Sequence, residues 1–242
     1  MDDDLTRLAC AEPDDEASRT ERMARLQGHV FGCARCVAGG FLEVAHPVAR
    51  GKGSVRAAML IVGQAPGAAG HTHEKPFSGT AGKTLSAWLQ IAGLPPWAHH
   101  DPELAFVTAV TRCFPGKAPG GKGDRVPSGP EIILCQPYLE AEFALVRPRV
   151  VVALGRLAAT RLVGPAPLGE LIGQVREIER DGRTLPVITL PHPSGVSRWL
   201  NLPANREQHL AALRLLGELL GTLPVDSPNP VGAVGRSEQG GM

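Results

Sequence analysis

Long hydrophobic runs are missing from this sequence of 242 residues. The longest apolar stretches, such as residues 57–62 and 150–154, are far shorter than the roughly 20 residues that a helix needs to span a bilayer. The N-terminus, Met-Asp-Asp-Asp, also lacks the basic and apolar regions of a secretory signal peptide. We therefore expect a cytoplasmic protein with no membrane partner, in which cysteine thiols stay reduced and can bind a metal.

A strong net charge is missing as well, because the chain totals only +1 at pH 7. That balance hides an asymmetry: residues 1–21 hold eight acidic and two basic residues, and the remainder holds 23 basic and 16 acidic residues. Such a basic excess favours contact with phosphate backbones, although many solvated surfaces carry as much charge without binding anything.

The composition predicts one domain with irregular ends. Hydrophobic residues make up 43% of the chain, enough for one good core, and 29 Gly with 22 Pro indicate many tight loops. We expect an acidic, partly disordered leader at residues 1–27 and one domain at residues 28–221. Residues 222–242, rich in Gly, Pro and Ser, are predicted to be a disordered tail.

Short apolar runs bounded by Gly or Pro alternate with helical patterns. Such runs are typical of buried parallel strands, and four are present, at residues 57–62, 105–111, 149–154 and 185–190. Helical spacing predicts helices at residues 82–92, 128–146, 156–162 and 206–220, the second opened by a capping box of Ser128 and Glu131. The alternation predicts an α/β fold, a three-layer α/β/α sandwich with a central, mostly parallel sheet and functional loops at the carboxyl ends of the strands.

Four cysteines have the pattern of ligands for one metal centre: Cys33 and Cys36 form a CxxC pair, and Cys113 and Cys135 lie far downstream. A zinc finger or ribbon usually has two closely spaced pairs, whereas the second pair here is split between different elements. We therefore favour an iron–sulfur cluster held by four thiolates. Zinc, or four unrelated buried cysteines, are the alternatives. Cys10, in the acidic leader, is expected to take no part.

The loops after the first and last predicted strands carry two recognisable motifs. The run GQAPGAAGHTHEKPFSGTAG at residues 63–82 resembles the first motif of the uracil-DNA glycosylase superfamily, and HPSGVSRWLN at residues 192–201 resembles its second. The four cysteines are similar to those of the iron–sulfur branch, typified by the thermostable family 4 enzymes of bacteria and archaea. The resemblance covers about residues 28–218.

The resemblance implies a DNA repair enzyme, a monofunctional glycosylase that hydrolyses the N-glycosidic bond of uracil or another deaminated base in DNA. It leaves an abasic site, and it does not cut the strand because no lysine nucleophile is implied. The expected cofactor is a 4Fe–4S cluster, with zinc as the alternative, and the expected partner is damaged DNA bound by a monomer. Such an enzyme must flip a nucleotide out of the stack and stabilise negative charge on the departing base.

The resemblance also assigns roles to the residues of the two motifs. His192 corresponds to the histidine that donates to the pyrimidine O2 and stabilises the uracil anion, although a lone histidine after a strand is more often structural. Phe77 is expected to stack on the flipped base. The backbone around Gln64, at Gly63 and Ala65, is expected to approach the base and the attacking water.

The segment 194–201 is expected to enter the DNA groove. Ser194 begins this segment, and Arg198 is positioned to meet a phosphate. A basic loop that contains Arg112, Lys117, Lys122 and Arg125 lies between two of the cysteines and could also contact DNA, a merely solvated loop being the alternative.

Two positions depart from the family 4 pattern. Gln64 stands where these enzymes usually carry Glu, so a carboxylate that could orient water has become an amide that cannot take a proton. Ala109 stands where an Asn recognises the edge of uracil, and a missing bidentate base contact is worth about 1–3 kcal/mol of discrimination. His71 and His73 could compensate, but the simpler interpretation is that they are surface residues.

These departures leave a second hypothesis open, that of a catalytically weak relative that binds damaged or single-stranded DNA through the same pocket. A third hypothesis, an iron–sulfur electron carrier, leaves the motifs around Phe77 and His192 unexplained.

Overall fold

A five-stranded sheet forms the centre of the computed structural model, which describes residues 2–10, 14–47, 51–68, 76–121, 123–194 and 199–222. The strands are β1 (Met59–Gly63), β2 (Ala105–Ala109), β3 (Val150–Leu154), β4 (Val175–Arg180) and β5 (Arg183–Leu190). Their order across the sheet is β2-β1-β3-β5-β4. The first four strands in this order, β2, β1, β3 and β5, are parallel to one another. The last strand, β4, pairs with β5 in the antiparallel direction.

Helices cover both faces of this sheet. They are α1 (Asp2–Cys10), α2 (Glu16–Phe31), α3 (Arg35–Ala38), α4 (Thr80–Ile91), α5 (Gly129–Val146), α6 (Gly155–Val163), α7 (Leu168–Leu171) and α8 (Pro203–Leu220). Two short 3-10 helices, Ala98–His100 and Trp199–Asn201, complete the elements of the described chain. The predicted α/β class with a mostly parallel central sheet is confirmed.

The two faces of the sheet bury alternate residues, as the period of a strand requires. In β1, Leu60 and Val62 pack into one hydrophobic cluster together with residues of α1, α2, α5 and α6. Met59 and Ile61 pack into the other cluster, against α4 and α8. The fold is therefore a three-layer sandwich whose four parallel strands end, at their carboxyl termini, on the edge that carries the predicted loops, whereas β4 runs in the opposite direction.

The predicted strands and helices match observed elements, with boundaries that move by a few residues. β4 was not predicted, because its residues VREIER are mostly exposed on the edge of the sheet and show no apolar run. The capping box is confirmed, since the backbone N–H of Ser128 donates to Oε2 of Glu131 over 2.7 Å. Within the described chain, no helix is both long and apolar enough to cross a membrane.

The acidic leader differs from the prediction of a partly disordered segment separate from the domain. α1 and α2 are ordered helices that contact α5, and α2 runs across the predicted boundary at residue 27. Leu5, Leu8 and Leu26 are at most 3% exposed and belong to the main core. The predicted separation of residues 1–27 from the domain was therefore wrong. It rested on the acidic composition of this segment and not on the helical spacing of its apolar residues. Of the predicted tail, residues 223–242 lie outside the described residues.

Candidate active site and cysteine centre

A cavity of about 640 Å³ opens at the carboxyl ends of β1 and β2 and beside the loop that follows β5. Its walls include seven of the predicted site residues: Gly63, Gln64, Ala65, Phe77, Ala109, His192 and Ser194. The fold thus brings together side chains and backbone from three separate parts of the chain. Arg198, the predicted phosphate contact, lies outside the described residues, as do His71 and His73.

The loop that follows β1 is fixed against the end of β2 by backbone hydrogen bonds. The N–H of Val110 donates to the carbonyl of Gly63 over 2.9 Å, and the N–H of Thr111 donates to the carbonyl of Gln64 over 3.2 Å. These two hydrogen bonds therefore attach the start of the loop to the residues that follow β2. The register of β1 beside β2 places the amide side chain of Gln64 in the same cavity wall as the methyl group of Ala109.

Phe77 adopts a left-handed backbone conformation at the entry to α4. Its φ is 54°, which is unusual for an aromatic residue. A Cβ added to Gly82 would lie 1.8 Å from the carbonyl oxygen of Phe77, so only glycine permits this close approach. The ring meets His99 edge to face at 6.2 Å between centroids. Phe77 is thus held in the cavity wall by its backbone as well as by its packing.

His192 is half-buried in the wall, and its hydrogen bonds define its tautomer. The backbone N–H of Ser194 donates to Nδ1 over 3.2 Å, and the Ser194 hydroxyl lies 2.8 Å from the same nitrogen. Burial lowers the pKa of His192, an effect that the negative charge of Asp124 partly opposes. A neutral ring whose Nδ1 accepts a hydrogen bond carries its proton on Nε2, which makes Nε2–H a hydrogen-bond donor.

A buried ion pair supports the wall at the end of β2. Arg112 is 1% exposed, and its Nη2 lies 2.7 Å from Oε2 of Glu142, which also accepts from the hydroxyl of Thr108 over 2.7 Å. Nη1 of Arg112 donates to the carbonyl of Ala109. Burial raises the pKa of Glu142 to about 7, while the guanidinium opposes that rise. Arg112 is therefore structural, and the prediction that it could contact DNA was wrong.

The loop between Cys113 and α5 contains a residue that the sequence analysis did not identify. Asp124 lines the cavity, and its Oδ1 lies 2.8 Å from Nζ of Lys117. Arg125 forms two hydrogen bonds of 2.6 and 2.8 Å with Glu131, at the start of α5. Lys122 lies outside the described residues. Asp124 was overlooked because the surrounding loop was considered only for its basic charge.

The four predicted ligand cysteines come from three different elements. Cys36 lies in α3, Cys33 precedes it, Cys113 follows β2, and Cys135 lies in α5. All are free thiols. A hydrogen bond joins the thiols of Cys36 and Cys135, and Coulombic interactions join Cys113 to Cys135 and to Cys33. The fold therefore gathers the four thiols, whereas Cys10 is exposed on α1.

The surroundings of the thiols favour negative charge at one member of the cluster. The bond from Cys36 is the main cause that lowers the pKa of the Cys135 thiol to about 6, and the guanidinium groups of Arg112 and Arg35 lower it further. Burial raises the pKa of Cys113 to about 11. Among the described residues, no group of three or more side chains is arranged to hold a single metal ion.

Comparisons with known proteins agree with this architecture. The sequence profile of the family described as "Uracil DNA glycosylase superfamily" matches residues 50–215. The chain therefore belongs to the uracil-DNA glycosylase superfamily, as the resemblance of its motifs predicted.

Its curated relatives include several type-4 members of that family. It is 33% identical to the type-4 uracil-DNA glycosylase of Archaeoglobus fulgidus over 176 residues, which are 71% of this chain and 81% of the relative. It is 31% identical to that of Sulfurisphaera tokodaii over 56% of each chain, and 27% identical to that of Pyrobaculum aerophilum over 78% of this chain and 91% of the relative.

Proposed function

We propose that this protein is a monofunctional DNA repair glycosylase that hydrolyses the N-glycosidic bond of uracil, or of another deaminated base, and leaves an abasic site. The observation that carries the proposal is that one cavity is lined by the first-motif loop (residues 63–68), by Phe77 and by His192. The type-4 uracil-DNA glycosylases among its relatives support the same reaction. A pocket at the carboxyl edge of a parallel sheet is a common site for ligands in α/β folds.

His192 would stabilise the charge that develops on the departing base. When the glycosidic bond breaks, its electron pair stays with the base, and negative charge accumulates on the carbonyl oxygen beside the broken bond. A fixed N–H donor in a half-buried site interacts more strongly with this charge than water does. The Nε2–H of neutral His192 is such a donor, because the contacts of Ser194 occupy Nδ1.

Phe77 and the first-motif loop would hold the extruded base. An aromatic face stacks on any base, and such stacking contributes roughly 1–3 kcal/mol per base. Gly63 has no side chain and Ala65 has only a methyl group, so the backbone on either side of Gln64 can approach the base and the water. We retain Arg198 as the proposed phosphate contact, on the basis of the motif alone.

The wall at Ala109 supports relaxed discrimination between bases. This position presents a methyl group, and Arg112 engages its carbonyl oxygen. The neighbouring Thr108 hydroxyl is directed to Glu142. Position 109 itself therefore offers no side-chain amide to the base edge, which favours acceptance of other deaminated bases beside uracil.

We propose that Cys33, Cys36, Cys113 and Cys135 hold a 4Fe–4S cluster, with zinc as the alternative. The proximity of the four thiols supports a shared centre, and the nearby guanidinium groups suit its negative charge. The cluster would supply a rigid cross-link between the loop after β2 and helices α3 and α5. Five free cysteines agree with a reducing compartment, and we propose a cytoplasmic monomer.

The test is excision from labelled oligonucleotides that carry uracil, hypoxanthine or xanthine, in single and double strands, with alkali to cleave abasic sites. We expect product from uracil and from at least one other base. His192→Gln should lower the single-turnover rate by about 10²–10³-fold, the usual loss for one donor to a developing oxyanion. His29→Gln, on α2, is a matched control that should retain activity.

The pH profile gives a second check on His192. Protonation of Nδ1 would break the hydrogen bond that this nitrogen accepts from Ser194, so the excision rate should fall only in acid, below the ordinary imidazole pKa of about 6.5.

Binding of damaged DNA without product from any base would instead favour the alternative function, that of a catalytically weak DNA-binding relative, which Gln64 and Ala109 support.

A further inference from the structure

Asp124 is the single acidic side chain among the described residues that line the cavity. Hydrolysis of a glycosidic bond adds water to the sugar carbon, and a proton must leave that water. Gln64 cannot accept this proton because an amide is not basic at neutral pH. Asp124 is therefore the candidate for the general base that accepts this proton.

The backbone around Asp124 is a small hairpin that fixes its position. Lys117 and Asp124 form an antiparallel bridge. The N–H of Ala118 donates to the carbonyl of Gly123 over 3.1 Å, and the N–H of Arg125 donates to the carbonyl of Gly116 over 2.9 Å. The two hydrogen bonds between Arg125 and Glu131 anchor the end of this hairpin to α5. A side chain held by such contacts is suited to a precise catalytic role.

The carboxylate points to the first-motif loop. Its Oδ2 lies 3.4 Å from the backbone nitrogen of Ala68. A Cβ at Gly67 would lie 3.2 Å from the same oxygen, so the absence of a side chain there leaves room for the carboxylate. An ionised carboxylate has about four acceptor positions. The contacts with Lys117 and Ala68 use two of them, and the others can accept a hydrogen bond from water.

Asp124 also interacts electrostatically with His192, which lines the same cavity. Its charge is the one group that opposes the effect of burial on the pKa of His192. The two side chains are therefore close enough to interact electrostatically across the cavity. A donor for the departing base and an acceptor for the water proton, both in one cavity, are the two groups that this hydrolysis needs.

We propose that Asp124 is the general base of this reaction, an inference that rests on the proposed glycosylase function. The bond between the sugar carbon and the base nitrogen breaks, and its electron pair leaves with the base. The water oxygen forms the new bond to the sugar carbon, and one water proton passes to the Asp124 carboxylate and from there to solvent. The base anion then takes up a proton from solvent, so that water is the only reactant consumed.

The test is the single-turnover rate of excision by Asp124→Asn, which keeps the size of the side chain and an oxygen for Lys117. We expect a loss of about 10²–10⁴-fold, typical of the removal of a general base, with little change in DNA affinity. Asp181→Asn is the matched control: Asp181 lies in the exposed turn between β4 and β5, and its φ of 51° suits asparagine. This control should excise at the wild-type rate.

Rescue distinguishes a base from a residue that only holds the hairpin. Asp124→Glu, and Gln64→Glu in the Asp124→Asn background, both return a carboxylate to the cavity and should recover part of the rate. Lys117→Met removes the partner and keeps the carboxylate, so its loss should be much smaller than that of Asp124→Asn. Equal losses in these two variants, or no rescue by either carboxylate, would show that Asp124 only supports the loop.

A wild type that excises no base overturns the proposed function and this inference with it. Excision by the wild type and an equally fast Asp124→Asn would overturn this inference alone.

Discussion

The cavity and the cysteine centre share one segment of chain, residues 113–135, but the chain builds them in different ways. The cavity is shaped by backbone turns and small residues, and a few polar side chains such as His192 and Asp124 face into it. The cysteine centre consists of thiols that lie close to the guanidinium groups of Arg35 and Arg112. The cavity depends on the shape of its backbone, and the cysteine centre depends on charge. Substitutions that affect only one of the two regions should therefore separate their contributions to stability and to excision.

The largest effect is expected where one residue belongs to both regions. Cys113 is a predicted ligand and also begins the loop that carries Asp124 into the cavity. Cys113→Ser should remove the brown colour expected of the proposed 4Fe–4S cluster, lower the melting temperature and abolish excision, because metal binding contributes directly to folding free energy. Iron and sulfide analysis, thermal melting and the excision assay measure the three effects.

Cys10→Ser is the matched control for that variant, because Cys10 is exposed on α1, and it should behave as the wild type. A colourless wild type with stoichiometric zinc would replace the cluster by its alternative. Full stability and activity in Cys113→Ser would contradict the link between the two regions.

The buried pair of Arg112 and Glu142 offers a second way to disturb both regions. Arg112→Met leaves Glu142 buried without a counter-charge and removes the donor to the carbonyl of Ala109. Loss of one partner of such a pair costs about 3–5 kcal/mol in the free energy of unfolding. Denaturant unfolding measures this loss. Arg176→Met, at an exposed position of β4, should change stability by no more than about 0.5 kcal/mol.

Gly155 tests the cavity without touching the cysteines. Its φ is +83°, and a Cβ there would lie 3.1 Å from Cβ of His192. Gly155→Ala should cost about 1–2 kcal/mol through its left-handed backbone, and it should also lower the excision rate by displacing His192. Gly164→Ala shares the positive φ, +91°, but has open space around its Cβ. A rate loss of equal size in both variants would contradict the role of the His192 contact.

The smallest effect is expected at Ala109, which changes selectivity and leaves the fold unchanged. Ala109→Asn places an amide in the cavity wall, and we expect the preference for uracil over hypoxanthine to rise by about 1–3 kcal/mol in kcat/KM. Ala109→Val, which is similar in volume and has no amide, controls for bulk. An unchanged ratio in Ala109→Asn would mean that the base edge lies elsewhere.

The sequence was a good guide wherever local pattern decides structure. Apolar runs located the four parallel strands, and Ser128 with Glu131 predicted the start of α5. It was a poor guide to β4, whose polar residues lie on an exposed edge. It was also a poor guide to α1 and α2, because their many acidic surface residues accompany a buried apolar stripe that includes Leu5 and Leu8.

The roles of charged residues were harder to predict, because a charge has the same sequence signature wherever it lies. Arg112 and Arg125 belong to the same basic loop in sequence, but one is buried against Glu142 and the other joins the hairpin to α5. Asp124 has an ordinary loop context and becomes notable only because the hairpin turns it into the cavity.

By itself the sequence determined the α/β class, the order of the motifs and the candidate ligands, since these depend on residue type and on the periods of strands and helices. Tertiary structure decided which of these residues meet. The register of β1 beside β2 places Gln64 and Ala109 in one wall, and the return of β5 to the same edge brings His192 to it. Contacts between residues far apart in the chain follow from how the layers pack, and no local pattern records them.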